Sequence, residues 1–400
     1  MDISLGSEVI NSYKRLSYKA WYALAEFIDN STQAYFNNSE ILDPILKEEG
    51  VHLKVEITSG VDDEGEFILI KDNSIGMSLQ GLRQAIIIGK PPIDTSGRSK
   101  YGLGMKTAAC WLGDYWTVTT KTIGEEIEHK IIFDVPRVAS GNLDSQYTSS
   151  PVLNTNAHYT IIEIRRLNRS IRTGRTSGKI KNYLRSMYRV DIEKGGLILK
   201  WQGETLTWST KEFIETRLLK NADGSLIKED FKFNVGAKTV KGWAGVYEIG
   251  SRKDAGFSVI QSKRVIIGWP DSFKPELIFG EQEGGSNDLV NQRLVGELYL
   301  DGFDVSHTKD EILFENDEYD ELEIKLRDKC DYLRKIALSY RKNQLVEAKV
   351  NNNDLSIAIN ELIAELGSNK TAEVFQNFEV PPSKLIEESN SIVQRAVMKR

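Results

Sequence analysis

Near the start of the chain, hydrophobic side chains recur every three to four positions. Leu16, Ala20, Leu24, Phe27 and Ile28 form one apolar stripe, which predicts a mainly helical segment from about residue 5 to 37. After a polar break at 37–39 and a stretch ending in Glu48-Glu49-Gly50, the period changes. Val51, Leu53, Val55 and Ile57 alternate with polar residues, the pattern of a half-buried strand. A second strand is expected over Phe67 to Lys71, joined to the first by the Asp62-Asp63-Glu64-Gly65 turn. Residues 115 to 134 alternate again, through Trp116, Val118, Ile127, Ile131 and Phe133, and predict a hairpin or meander. The apolar-poor stretch 136–156 predicts a loop, and His158 to Ile164 another strand.

Strands predominate from Gly196 to Phe303, at 197–201, 206–208, 231–235, 238–247 and 256–267, which suggests a second α/β domain. Beyond Asp310 the pattern is helical, with Leu322, Leu326, Leu333, Ile336 and Tyr340 among alternating charges. A further helix is expected over 355–366, and Pro381-Pro382 interrupts the tail. The organisation predicted is residues 1–190, 191–310 and 311–400, with no long internal repeat or low-complexity segment.

Composition sets limits on this picture. The chain has 400 residues, 40% hydrophobic and 28% charged, enough for two or three domains with their own cores and too apolar for a disordered protein. A formal net charge of −6 argues against coating nucleic acid with the whole surface, so any such contact must be local. The two cysteines, Cys110 and Cys330, make no C-x-x-C pair and point to neither a disulfide framework nor a zinc site. With no signal-like start at Met1-Asp2-Ile3-Ser4 and no apolar run of membrane-spanning length, a soluble chain is expected, in the cytoplasm or, in a eukaryote, the nucleus.

The first helix carries an unusual group. Glu26 and Asn30 stand at i and i+4, with Asp29 between them, beside Leu24, Phe27 and Ile28. A glutamate able to take a proton from water, next to an amide oxygen suited to a hard cation such as Mg²⁺, is the equipment of a nucleotide hydrolase. Taken alone, the pattern also suits a polar helix face. Two downstream motifs change the balance. Asp72-Asn73-Ser74-Ile75-Gly76-Met77 puts a carboxylate at the mouth of a strand, where it would accept from an adenine amino group, or simply close an Asx-type turn. Gly97 to Ala109, including Lys100, Gly102, Gly104 and Lys106, is a glycine-rich loop opening into a small-residue helix. Unpaired N–H groups and positive charge there suit phosphate, and the order differs from the P-loop and dinucleotide fingerprints.

Together Glu26-x-x-Asp29-Asn30, Asp72-x-x-x-Gly76 and Gly102-x-Gly104 resemble the N-box and glycine boxes of the GHKL superfamily, which groups gyrase B subunits, the heat-shock 90 chaperone, histidine kinases and MutL proteins. The wording at 23–31 and 101–108 looks most like Microrchidia-type ATPases and their prokaryotic relatives. The resemblance implies a two-layer α/β sandwich of the Bergerat type that binds ATP, then a transducer-like α/β domain similar to the ribosomal S5 domain 2 fold, and a helical C-terminal tail. Glu26 would be the general base, Asn30 the Mg²⁺ ligand, Asp72 the adenine acceptor and Gly76 the close-approach glycine. Met77, Lys100, Gly102, Leu103, Gly104, Met105, Lys106 and Thr107 would complete the nucleotide contacts, and the segment from Gln84 to Gly104 would form a lid. Thr160 sits where the family has a threonine of the adenine pocket, although Tyr159 replaces the preceding glycine. Ser74 likewise replaces the first glycine of D-x-G-x-G. In the transducer domain a lysine would reach the γ-phosphate: Lys263, within a sequence like the family's Q-T-K loop, is the first candidate, with Arg264 and Lys309 as alternatives.

The resemblance further implies an ATP-gated homodimeric clamp. Its target is either DNA, for which the basic stretch from Arg165 to Arg189 would serve, or a protein partner of a chaperone-like or signalling switch. That basic stretch also suits a linker and a solvated helix, because Ile180, Leu184 and Met187 give it an apolar stripe. The four histidines have no metal-like spacing and none lies on a phosphoacceptor-like hairpin, which disfavours a histidine kinase.

Overall fold

The computed structural model describes residues 9–87, 97–98, 102–142, 146–172, 174–280 and 288–340. The expected helix at 355–366, the Pro381-Pro382 tail and Lys100 lie outside them.

The first part of the chain runs α1 (Val9–Tyr13), α2 (Ala20–Asn37), α3 (Ser39–Glu48), β1 (Lys54–Asp62), β2 (Gly65–Asp72), α4 (Leu79–Ile86), α5 (Gly104–Leu112), β3 (Gly113–Lys121), β4 (Ile127–Asp134), α6 (Val135–Ala139), β5 (Gln146–Pro151), β6 (Tyr159–Leu167), α7 (Gly174–Met187), α8 (Arg189–Glu193), β7 (Ile198–Trp201) and β8 (Glu204–Thr205). Its strands form one sheet in the order β5-β4-β3-β6-β2-β1-β7-β8, antiparallel except for the β1–β7 pair. Helices α1, α2, α5 and α7 contribute to the same core as the inward residues Ile57, Ile68, Ile70, Trp116 and Ile164, giving a two-layer α/β sandwich. Helix α2 is buried around most of its circumference, so its apolar residues extend well beyond one stripe. Leu24, Phe27 and Ile28 together remove enough apolar surface to contribute roughly 2 kcal/mol each.

The second part continues with α9 (Thr210–Phe213), β9 (Lys228–Val235), β10 (Lys238–Val246), β11 (Gly256–Gln261), β12 (Arg264–Ile267), α10 (Glu276–Phe279), α11 (Val290–Arg293), β13 (Leu294–Tyr299), β14 (Asp304–Val305), β15 (Ile312–Leu313) and α12 (Glu318–Ser339). Five of these strands form a sheet in the order β12-β11-β13-β10-β9, with β11 and β13 parallel, and β14 and β15 make a separate hairpin. Leu322, Leu326, Cys330, Leu333 and Ala337 of α12 pack into the core of this sheet.

Several elements depart from the sequence expectation. Within the expected helix at 5–37, the described residues 9–37 form two helices with a break between them, and Leu16 falls in the break, exposed rather than in the stripe. Residues 146–151, inside the expected loop, form an edge strand that pairs with β4. All its side chains are exposed, so no hydrophobic alternation announces it. The expected boundary at 190 precedes β7, which joins the first sheet, and Leu197, Leu199 and Trp201 share the first core. Helix α12 covers the second sheet and is no separate tail. Both cysteines are buried and unpaired, and among the described residues no helix is long and apolar enough to cross a membrane.

Candidate active site

The floor of the site is the end of β2. Asp72 is buried, its Oδ2 accepts from Ser31 Oγ at 2.6 Å, and its Oδ1 accepts from the Ser74 backbone N–H at 2.9 Å. Burial raises its carboxyl above the ordinary aspartate range, and these donors only partly offset that. The turn that follows is tightly held. The Ser74 carbonyl receives the His158 ring at 2.9 Å, Thr122 Oγ1 donates to the Ile75 carbonyl, and the Met77 N–H donates to Thr120 Oγ1. Gly76 has φ +74°, and a Cβ there would lie 1.9 Å from the Lys121 carbonyl oxygen, so only glycine fits. Ser74 is not among the described residues with positive φ, so this turn position does not require glycine. Thr160 faces Asp72 across the β2–β6 ladder, and its hydroxyl lies 3.2 Å from that of Thr120.

The other end is built around Glu26. Gly104 begins α5, and a Cβ at this position would fall 1.9 Å from Glu26 Oε2. The missing side chain therefore lets the carboxylate sit against the helix start, whose first N–H groups have no intrahelical acceptor. Gly102, with φ +63°, turns the chain just before it. Glu26 Oε1 is buried without a hydrogen-bond partner. Oε2 accepts from Lys309 Nζ at 3.0 Å, and the same ammonium lies 2.7 Å from Asp29 Oδ2. Asp29 also receives Arg264 Nη1 at 2.7 Å and the Tyr188 hydroxyl at 2.8 Å. Burial works to raise the Asp29 carboxyl, but Arg264, Lys309 and Arg98 outweigh it and hold it below its usual range. Asn30 follows Asp29 and is half-buried, one helical turn from Glu26.

The structure thus brings together Glu26, Asp29, Gly104 and Lys309. Of the three cations weighed from sequence, Lys309 meets Glu26 and Arg264 meets Asp29. Lys263 stands at the exposed β11–β12 tip, its ammonium 5.0 Å from the centre of the Phe36 ring. It lines a separate cleft of about 560 Å³ with Arg189, Lys194 and Asp301. The reason is hairpin geometry: Ser262 and Lys263 occupy left-handed turn positions, so the next residue, Arg264, is the one that enters β12 facing inward.

The other described residues of the glycine-rich segment are engaged within the protein. Lys106 Nζ donates to the Ala85 and Ile87 carbonyls, both at 2.8 Å, tying α5 to the end of α4, and burial pushes its ammonium down to about 8. Thr107 Oγ1 donates back to the Leu103 and Gly104 carbonyls. Met105 and Met77 pack partly buried against the core. Arg98, expected only as positive charge near phosphate, is buried. It pairs with Asp191 at 2.5 Å, donates to Thr32 Oγ1, and reaches the Ser262 carbonyl of the second sheet's hairpin.

Most of the basic stretch is also spoken for. Arg165 is paired with Asp62 and Glu163, Arg166 with Asp134, Lys181 with Glu204, and Arg189 with Glu297. Arg169 stacks on Trp111 at 4.1 Å, and Arg185 lies over Trp269 at 4.9 Å. Arg172, Arg175 and Lys179 remain exposed.

Residues 18–160 match the family model described as histidine kinase-, DNA gyrase B-, and HSP90-like ATPase. This indicates a GHKL-type ATPase domain over that stretch, the stretch that holds both ends of the site except for Arg264, Lys309 and Tyr188. No curated protein matches the chain.

Proposed function

We propose that the chain is a Mg²⁺-dependent ATP hydrolase in which Asp72 receives the adenine amino group and Glu26 takes the proton of the attacking water. The observation that carries this reading is the buried, unpartnered Oε1 of Glu26 at the start of α5. A carboxylate oxygen buried without a donor is costly, and a water held there would relieve that cost while losing its proton to the same oxygen. The α5 N–H groups and the Lys309 ammonium are suited to the charge that grows on the phosphate oxygens. The residue that would hold Mg²⁺, together with the substrate's phosphates, is Asn30, whose amide oxygen suits a hard cation. Held by Asn30 in that way, Mg²⁺ would supply charge neutralisation.

Glu26→Ala tests the reading directly. ATP analogue binding should be retained while turnover falls on the order of 10²–10⁴-fold, the usual share of a general base. Normal turnover in that variant would remove the role.

Our narrower reading keeps the Microrchidia-like, ATP-gated homodimer acting on DNA in the cytoplasm or nucleus. Its support is the wording of the motifs together with Arg172, Arg175 and Lys179, which leave a small cationic surface. The engagement of the other basic residues favours the second reading, a switch that acts on a protein. Two measurements separate these possibilities. Solution mass should rise from monomer to dimer only with ATP analogue, and a salt-dependent DNA shift should vanish when the three exposed residues become glutamate. Absence of that shift in the wild type leaves the protein-directed switch.

A further inference from the structure

We propose that Asp29 is the positioning residue that holds Lys309 against Glu26, acting between the two sheets and not on the nucleotide itself. The inference rests on the hydrolase reading above.

Asp29 is fully buried, and the groups that satisfy it come from far along the chain: Tyr188 to Oδ1, Arg264 and Lys309 to Oδ2. With donors on both oxygens, its carboxylate is not directed at a substrate or a metal. Its chemistry is addressed to the second sheet. Arg264 depends on it in turn, because the guanidinium is buried, its Nη1 bonds Asp29, and its Nε and Nη2 have no partner. Glu26 and Asp29 supply two negative charges, Arg264 and Lys309 two positive ones, so the cluster is balanced and removing one member strands another in a dry environment.

Lys309 itself is presented by a rigid turn. Its backbone is left-handed, φ +52°, and the turn is closed by Ser306 Oγ donating to Asp310 Oδ1 at 2.7 Å, the Thr308 hydroxyl on the same oxygen, and the Lys309 N–H on the Ser306 carbonyl at 2.9 Å. The turn fixes where the side chain starts. Asp29 fixes where it ends, within reach of both Glu26 and the start of α5. If the ammonium shifts toward a phosphate, Arg264 and Tyr188 still hold Asp29, so the anchor survives the movement of what it anchors.

The test is a pair of cycles. Asp29→Asn and Tyr188→Phe are each measured in the wild-type and Lys309→Met backgrounds, with kcat, KM and ATP analogue affinity determined for every protein. Expected for Asp29→Asn is a fall in kcat of about a hundredfold, the scale of a displaced catalytic group, with KM and analogue affinity within about threefold. In the Lys309→Met background the same change should alter kcat by less than about threefold, because its route of action is already gone. Tyr188→Phe should lower kcat by roughly threefold to tenfold, the scale of one lost hydrogen bond, and lose that effect in the Lys309→Met background. Equal losses in both backgrounds, or a loss confined to KM or analogue affinity, would overturn the proposal. Should Asp29→Asn fail to fold, the Tyr188→Phe cycle decides by the same criteria. A wild type that binds analogue but never hydrolyses ATP overturns the hydrolase reading and this inference with it, whereas hydrolysis with additive cycles overturns this inference alone.

Discussion

The two ends of the candidate site are built in different ways. Around Asp72 the contacts come from α2 and from the turn that follows β2, and that turn is held by the His158 ring and the Thr120 and Thr122 hydroxyls, while the Lys121 carbonyl leaves no room for a side chain at Gly76. Around Glu26, half of the charge comes from the β11–β12 hairpin of the second sheet and from the separate β14–β15 hairpin, Arg264 lying 235 residues beyond Asp29 and Lys309 lying 283 residues beyond Glu26. One end is a preformed socket made within the first part of the chain. The other exists only when the second sheet is seated. Binding and turnover should therefore separate under mutation more cleanly than in a site made by one element.

The largest effect that would sharpen this contrast is at Gly104. Gly104→Ala improves helix propensity yet places a Cβ 1.9 Å from Glu26 Oε2, so the carboxylate must move. Turnover should drop roughly a hundredfold with the fold retained, since an ångström-scale misplacement costs about that much. Unchanged kcat would break the assignment of the close approach. Asp72→Asn should act at the opposite end. Its amide would turn an N–H toward either the Ser31 hydroxyl or the Ser74 N–H, weakening ATP binding by about 2 kcal/mol, roughly thirtyfold, without lowering kcat. Calorimetric titration with ATP analogue beside saturating kinetics checks both halves.

The smallest effect concerns Lys106, whose ammonium is pushed from a lysine's ordinary 10.5 to about 8 by burial. Below about 8 both folded and unfolded chains carry the proton, and the fold bears the full cost of burying it. Between about 8 and 10.5 the folded chain has lost the proton while the unfolded chain keeps it, so stability rises with pH across that window. The denaturant midpoint should climb there, and the Lys106→Met variant should lack that part of the slope. A midpoint with the same slope in both proteins would remove the assignment.

What could be read from sequence follows the same division. The placement of Glu26, Asp72, Gly76 and Gly104 is legible because it depends on local pattern: a helix period, a strand ending in a turn, a glycine where a Cβ cannot fit. Lys309 ranks behind Lys263 in the sequence, which shows two polar turns bearing lysine but not which hairpin tip points inward. The signal available was the Ser306 to Asp310 run, whose side chains cage their own turn. Tyr188 left no trace, since a tyrosine at a helix junction looks like core until its hydroxyl is found on Asp29. The basic stretch is hard to read for a related reason. Arginine counts the same in a sequence whether it stacks on Trp111, pairs with Glu297 or faces water.

Arg189 and its partner Glu297 carry a consequence for anyone who would cut this chain into pieces. A fragment ending after β8 keeps both the first sheet's core and the Asp72 socket, but exposes Glu26 and Asp29 without Lys309 and Arg264, and leaves the Arg189 guanidinium without its carboxylate. Such a truncation would carry solvated ionic faces where the intact molecule is dry, so Glu26 and Asp29 would no longer stand in the environment the intact molecule gives them. The smallest piece that retains these pairs runs through α12, whose apolar face closes the second core.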